Sequence, residues 1–192
     1  IQSSINSFGS IAMAGSTASA NVEGFVYNAM NAVYQTALSF TSQNYGAGKM
    51  NRVTKILLYC LGLVVMVGAV MGGGAVLIGP KLLQIYSSDP EVISYGMMRM
   101  RIINGSYFLC GIMDTMVGGL RGLGYSVVPM LVSLTGACLF RVVWIFSVFA
   151  MHRTLTTLYI SYPVSWIITF TAHIICYIVI RKRIAARRKP RD

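Results

Sequence analysis

Long apolar stretches alternate with short polar segments along almost the whole chain. The approximate bounds of the five longest are Ala20–Ser42, Ile56–Ile78, Ile102–Leu120, Val127–Met151 and Leu158–Ile180. Each can cross the hydrocarbon core of a bilayer, about 30 Å, because a helix rises ~1.5 Å per residue. Lipid offers no hydrogen-bond partners to the backbone, so segments of this kind are predicted to be helices. The pattern therefore predicts an all-α polytopic membrane protein.

Shorter segments complete the predicted organisation. Ile1–Ala14 is apolar but too short to span a bilayer alone. We interpret it as the end of a truncated first helix, followed by a turn at Gly15–Ser19. Connections between helices are predicted at Gln43–Lys55, Gly79–Gly96 and His152–Thr157, with a short interfacial helix at PKLLQIY. One transmembrane domain is expected over residues 1–180, with a basic tail over residues 181–192.

Composition and charge support a membrane location. The chain of 192 residues is 55% hydrophobic and 11% charged, with a mean hydropathy of +0.65, whereas soluble domains carry about 25% charged residues. The net charge of +11 does not indicate nucleic-acid binding, because seven of the sixteen basic residues follow the last apolar stretch, between Arg181 and Arg191. A basic segment there is typical of an anchor on anionic lipid at the cytoplasmic face.

The distribution of the other basic residues gives the same orientation. If the helices alternate in direction, eleven basic residues fall on the side of the tail and four on the opposite side, Lys81, Arg99, Arg101 and Arg153. The positive-inside tendency then predicts a cytoplasmic C-terminus in the plasma (inner) membrane. Arg141 lies inside an apolar stretch, where it can snorkel or pair with a carboxylate. No partner for it is evident from the sequence.

Catalytic and metal-binding patterns are absent from the sequence. The four cysteines lie in different apolar stretches and form no CxxC pair, so we expect small buried thiols rather than a zinc or redox site. No HExxH, GxSxG or Cys–His pairing occurs. We therefore predict neither an enzyme nor a bound cofactor.

One face of the stretch Ala20–Ser42 is polar along its length. Its members are spaced three or four residues apart and so share one side of a helix: Asn28, Asn31, Gln35, Ser39 and Ser42. Two interpretations stay open. The side chains can bond neighbouring helices, at about 0.6 kcal/mol per contact, or they can line a cavity. Glu23, near the start of the stretch, is predicted to be interfacial rather than buried.

Asp114 is the residue on which the functional hypothesis depends. It lies within Ile102–Leu120, where inserting a carboxylate costs about 2.5–3.5 kcal/mol. The residues on its helical face are Asn104, Tyr107, Gly111, Gly118 and Arg121. A charge kept at such a place generally faces a cavity or a partner. We therefore expect Asp114 to carry a coupling ion or a proton.

Two other patterns have structural and functional interpretations. Gly68 and Gly72 form a GxxxG pair, which permits close helix approach or bending. Ser165, Thr169 and His173 share a face of the last apolar stretch. The histidine is either a packed core residue or a proton relay.

Several segments together resemble the second half of a MATE multidrug-extrusion transporter. They are, in chain order, NVEGFVYNAMNAVYQTALSFTSQNYGAGK, IYSSDPEV, DTMVGGLRGLG, FRVVWI and YPVSWI. The resemblance implies helices seven to twelve of a two-lobe, twelve-helix fold, with the first of them truncated and a six-helix N-terminal lobe as partner. The residues that match the family's structural motifs are Gln43, Gly46, Gly48, Arg121 and Gly122.

The resemblance also implies an activity. Such proteins are antiporters that export amphipathic or cationic drugs and metabolites in exchange for Na⁺ or H⁺. Asp114 matches a carboxylate that takes part in coupling in some branches; those branches also use a carboxylate on helix seven, which Ile1–Ala14 does not contain. The coupling ion is left open. The candidate cavity-lining residues are Asn28, Asn31, Gln35, Ser39, Tyr107, Thr169 and His173.

Two alternatives to drug export are considered. A strongly charged cavity would favour a flippase for a lipid-linked precursor, whereas Asp114 and Arg141 are the only clearly internal charges in the predicted spans, which favours the drug exporter. A membrane scaffold would need no ordered polar face. Binding of a fluorescent cationic dye would separate a transporter from a scaffold.

The polar face generates a first prediction. Replacing Asn31 and Gln35 together by alanine should change which compounds are exported, because amide side chains on a cavity wall contact the substrate. Efflux of a panel of compounds from cells carrying the protein measures this. Unchanged efflux of every compound would assign the face to helix packing.

Overall fold

The computed structural model describes residues 2–188, and within that range the chain is helical with short connections. The helices are α1 (Gln2–Asn6), α2 (Ser10–Gly46), α3 (Met50–Leu77), α4 (Gly79–Gln84), α5 (Pro90–Ile103), α6 (Tyr107–Gly122), α7 (Val127–Ser133), α8 (Phe140–Phe146), α9 (Val148–Met151) and α10 (Leu155–Arg188). A 3₁₀ turn, Asn104–Ser106, joins α5 to α6, and a π-helical segment, Leu134–Leu139, joins α7 to α8. The last part of the predicted basic tail, residues 189–192, lies outside the described residues, and residues 181–188 continue α10.

The all-α membrane class predicted from the sequence is confirmed. Among the described residues, three stretches are long and apolar enough to cross a membrane: Met50–Leu77, Val127–Met151 and Leu155–Ala186. Their outer faces carry exposed apolar side chains, such as Leu58 at 62% and Ile175 at 58% exposure. Apolar surface of this extent is typical of contact with lipid.

The predicted turn at Gly15–Ser19 is wrong, because α2 runs without a break from Ser10 to Gly46. Small residues occur there for packing. A Cβ on Gly15 would lie 2.5 Å from the carbonyl oxygen of Val92, so the absent side chain lets α2 approach α5. The helix is interrupted earlier, between Asn6 and Ser10, where Gly9 has a φ of 95° that favours glycine.

Two predicted connections are much shorter than expected. Between α2 and α3 only residues 47–49 lie outside a helix, and Gly48 has a φ of 75°. The polar stretch Gly79–Gly96 contains α4, at the predicted PKLLQIY position, and the start of α5. Asp89 caps α5, since its Oδ1 accepts a hydrogen bond of 2.8 Å from the backbone N–H of Glu91.

Helix α6 lies at the centre of the fold and packs against α2, α3 and α10. The glycines of GGLRGLG make this possible. A Cβ on Gly118 would lie 2.8 Å from the carbonyl oxygen of Tyr34, and one on Gly122 would lie 2.6 Å from Cβ of Thr41, both on α2. Gly119 instead faces Leu57 of α3, at 2.8 Å. Close approach on two sides therefore accounts for the glycine cluster.

The GxxxG pair of α3 makes the close approach that its spacing predicts. A Cβ on Gly68 would lie 2.8 Å from Cα of Phe108, and one on Gly72 would lie 2.5 Å from the carbonyl oxygen of Asn104. The second contact falls on the 3₁₀ turn between α5 and α6. Helix α3 therefore packs directly against the backbone of that turn.

At the C-terminal end, α7–α9 and α10 form a hairpin on the side of α6. Pro163 lies in the interior of α10 rather than in its first turns, because the helix begins earlier than predicted, at Leu155. Cys60 and Cys110 are buried as expected, whereas Cys138 is exposed and Cys176 half-buried.

The contact of Gly72 generates a stability prediction with a matched control. Gly72→Ala should lower the melting temperature of the purified protein, because a methyl group forced against a backbone carbonyl costs about 1–3 kcal/mol. Gly73→Ala should leave it unchanged or raise it, because nothing lies within 4 Å of a Cβ there and alanine favours a helix. Equal melting temperatures for the two variants would contradict the packing of α3 on the 3₁₀ turn.

Candidate functional site

A cavity of about 310 Å³ opens among α2, α6, α8 and α10. Its walls combine charged and aromatic side chains with small apolar ones. The lining residues are Glu23, Tyr27, Ile103, Tyr107, Cys110, Met113, Asp114, Ala137, Arg141, Tyr162 and Trp166. The volume lies at the lower end of the range for small-molecule sites, about 300–1,000 Å³.

Asp114 reaches the cavity from the middle of α6. Cys110 and Tyr107, one and two turns earlier on the same face, line it as well. Within the described part of the chain, the Asp114 carboxylate has neither a hydrogen bond nor an ion pair. A half-buried carboxylate with free oxygens can take a proton or a small cation.

Glu23 is neutralised, in contrast to Asp114. Its Oε1 and Oε2 accept hydrogen bonds of 2.8 and 2.9 Å from Nε and Nη2 of Arg99, and Ser16 and Ser19 bond the pair at 2.9 and 3.3 Å. Both charged side chains are buried, each at 7% exposure. The prediction that Glu23 is interfacial rather than buried is therefore wrong.

Arg141 is held by the last helix. Its Nε donates a hydrogen bond of 2.9 Å to Oγ of Ser165. Its guanidinium carbon lies 4.1 Å from the ring centroid of Tyr162 and 5.8 Å from that of Trp166. The segments FRVVWI and YPVSWI, singled out in the sequence, therefore meet at the cavity wall. Arg141 is the second residue of α8 and so lies just after the π-helical segment. Such π-helical segments are frequent at functional sites.

Two arginines share one aromatic ring. The guanidinium of Arg99 lies 5.9 Å from the Tyr162 centroid, while that of Arg141 lies 4.1 Å from it. The cavity wall carries two carboxylates, Glu23 and Asp114, and one guanidinium, that of Arg141. Arg99 contacts Glu23 and Tyr162 but does not line the cavity. Among the residues that the structure describes Glu23–Arg99 is the one salt bridge, so Asp114 and Arg141 form none.

The structure brings together only some of the predicted site residues. Tyr107 lies in the cavity with Asp114. Asn28, Gln35 and Ser39 are exposed and Asn31 is half-buried, and none of the four lines the cavity. Their role as lining residues stays a prediction.

Thr169 and His173 are fully buried and also lie outside the cavity. The hydroxyl of Thr169 donates to the carbonyl oxygen of Ser165 at 2.6 Å. Nε2 of His173 lies 3.2 Å from Oγ of Ser133. The first contact lies within α10, and the second joins α10 to α7. The relay function of His173 stays a prediction.

The family-motif residues lie at or just after the C-terminal ends of α2 and α6. Gln43, Gly46 and Gly48 form the end of α2 and the turn into α3. Arg121 donates a hydrogen bond of 2.9 Å to the hydroxyl of Tyr34, and Gly122 packs against α2. None of the five lines the cavity.

Comparison with known proteins identifies a family. The model of the family described as MatE matches residues 1–147 of the chain. A search of curated proteins gives no match.

The Glu23–Arg99 pair generates a prediction. Glu23→Gln or Arg99→Gln alone should lower the melting temperature strongly, because removing one partner of a buried ion pair costs about 3–5 kcal/mol. The double variant should recover part of that loss, since neither charge is then left unpaired. Arg101→Gln, on an exposed position of the same helix, is the control. Strictly additive losses would show that the two side chains are not coupled.

Proposed function

The chain belongs to the MatE family, whose members are membrane transporters, and from that premise we propose a secondary active antiporter. In this proposal it exports amphipathic or cationic drugs and metabolites in exchange for Na⁺ or H⁺. The observation that carries the proposal concerns Asp114: its carboxylate lines a cavity between helices and forms no hydrogen bond or salt bridge within the described residues.

The proposed exchange depends on one site accepting two occupants in turn. A proton or a sodium ion neutralises Asp114 when no substrate is bound, and a cationic substrate takes its place. A charge change at the carboxylate alters the relative stability of conformations that differ in how well they solvate it. The neighbouring carboxylate, Glu23, is already neutralised by Arg99 and so competes little for the cation.

The cavity walls suit an aromatic or amphipathic compound. Four aromatic side chains line the cavity together with the charged groups: Tyr27, Tyr107, Tyr162 and Trp166. Aromatic rings bind flat apolar groups by stacking and organic cations by cation–π attraction, at about 0.5–2 kcal/mol per contact. This supports the amphipathic substrate class over an ion channel or a purely ionic carrier.

Helices on two sides of the cavity are interrupted. The 3₁₀ turn Asn104–Ser106 precedes α6, and the π-helical segment Leu134–Leu139 precedes α8. Interruptions of this kind are places where helices bend. In the proposal they allow α6 and α8 to move relative to α2 and α10 during the transport cycle.

The proposal also includes the sequence predictions on the lobe, on the polar face of α2 and on the orientation in the membrane. The chain would form the C-terminal lobe, and the polar face of α2 would line a larger cavity shared with an N-terminal lobe. The basic end of α10 would lie on the cytoplasmic side. Each of these is a proposal that the exposed amides of α2 and the distribution of basic residues support.

Asp114→Asn is the direct test. It should abolish efflux of a cationic dye driven by a Na⁺ or H⁺ gradient, because the amide keeps the shape of the side chain but cannot bind either ion by charge. Efflux from everted membrane vesicles, normalised to the amount of protein, measures this. Glu91→Gln, at an exposed position in the first turn of α5, should retain it. Gradient-driven efflux by Asp114→Asn at the wild-type rate would remove the residue from the mechanism.

A further inference from the structure

We propose that Arg141 binds an anionic group of the substrate, so that the cavity selects small aromatic zwitterions over cations of the same shape. In this arrangement Asp114 receives the positive group and Arg141 the carboxylate. The inference rests on the proposed function and names the substrate class of the same cavity.

The bonding of the two interior arginines differs. Arg99 uses Nε, Nη1 and Nη2 in hydrogen bonds to Glu23 and Ser16. Arg141 uses Nε alone, on Ser165, and within the described residues its two terminal nitrogens have no acceptor. Arginine presents its terminal N–H groups in a planar fork that matches a carboxylate. Arg141 therefore has an unused anion-binding edge, whereas Arg99 does not.

The aromatic contacts hold that edge in place. Tyr162 and Trp166 lie beside the guanidinium at 4.1 and 5.8 Å, and the bond to Ser165 fixes its other end. Both rings also line the cavity. Because the side chain is already ordered, binding an anion there requires little further loss of conformational freedom.

Charge balance decides between substrate classes. Asp114 and Arg141 lie on different helices around one cavity and form no salt bridge with each other. A bound cation would neutralise Asp114 and leave the half-buried Arg141 without an anion. A zwitterion would neutralise both groups at once. Sites built to pair a polar group discriminate against analogues that leave it unpaired.

The competing explanation is internal. Arg141 could serve solely as a charge balance for Asp114, pairing with it directly in another conformation. In that case its removal would impair transport of every substrate to the same extent. A pair of probes that differ in one charge separates the two explanations.

Rhodamine 110 and rhodamine 123 provide that pair, since the first is a zwitterion with a free carboxylate and the second is its cationic methyl ester. Uptake of each into proteoliposomes containing the intact protein is measured with an imposed Na⁺ or H⁺ gradient. The wild type should transport rhodamine 110 with a kcat/KM about tenfold or more above that of rhodamine 123. Arg141→Gln should lose this preference through a higher KM for rhodamine 110, with rhodamine 123 little changed.

Two further variants act as controls. Arg141→Lys should restore part of the preference, because the charge is kept without the planar fork. Arg101→Gln makes the same substitution at an exposed site and should behave as the wild type. Size-exclusion profiles establish that each variant is folded before transport is compared.

The outcomes distinguish the two proposals. A parallel loss of both probes in Arg141→Gln, or a wild type that transports the ester but not the acid, would overturn the role of Arg141 and leave the antiporter intact. If the wild type transports neither probe under either gradient, both proposals fail. Loss of the preference for the acid in Arg141→Gln alone supports the inference.

Discussion

The bidentate contact between Glu23 and Arg99 is the interaction on which the rest of the site depends. It joins α2 to α5 through charges that would be costly to bury separately. Serines on α2 satisfy further hydrogen-bonding groups of the pair. With Glu23 paired to Arg99 in this way, the other two charged groups that line the cavity, Asp114 and Arg141, form no salt bridge within the described residues. The difference between the two carboxylates, of which Glu23 is paired and Asp114 is not, therefore follows from packing rather than from their chemical type.

Close helix approach determines where Asp114 lies. Gly118 and Gly122 bring α6 against α2, while Gly119 faces α3. A carboxylate one turn before this contact consequently reaches the space among α2, α8 and α10. The same glycines allow little room for larger side chains, so the cavity is set by backbone approach as much as by the residues that line it. The irregular turns before α6 and α8 then lie beside the site.

Periodicity along the chain was sufficient for features that one helix contains within itself. The apolar stretches, the GxxxG pair and the face shared by Tyr107 and Asp114 could all be predicted this way. Contacts across the fold could not, because Glu23 and Arg99 are 76 residues apart, and nothing local indicates that two opposite charges meet. Gly15 was misinterpreted for a related reason: a small residue can mark a turn or a close contact, and only the neighbouring helix distinguishes them. The face of α2 with Asn28 and Gln35 lies on one unbroken helix, but its role as a cavity wall stays a prediction, because neither residue lines the cavity that the structure describes.

The central claim is that Asp114, and not Glu23, changes its charge during transport. Infrared difference spectroscopy of the purified intact protein, recorded on changing pH and on exchanging Na⁺ for K⁺, reports this directly. The account predicts a carboxyl signal that disappears in Asp114→Asn and persists in folded Glu23→Gln. A signal that persists in Asp114→Asn and disappears in Glu23→Gln would contradict it.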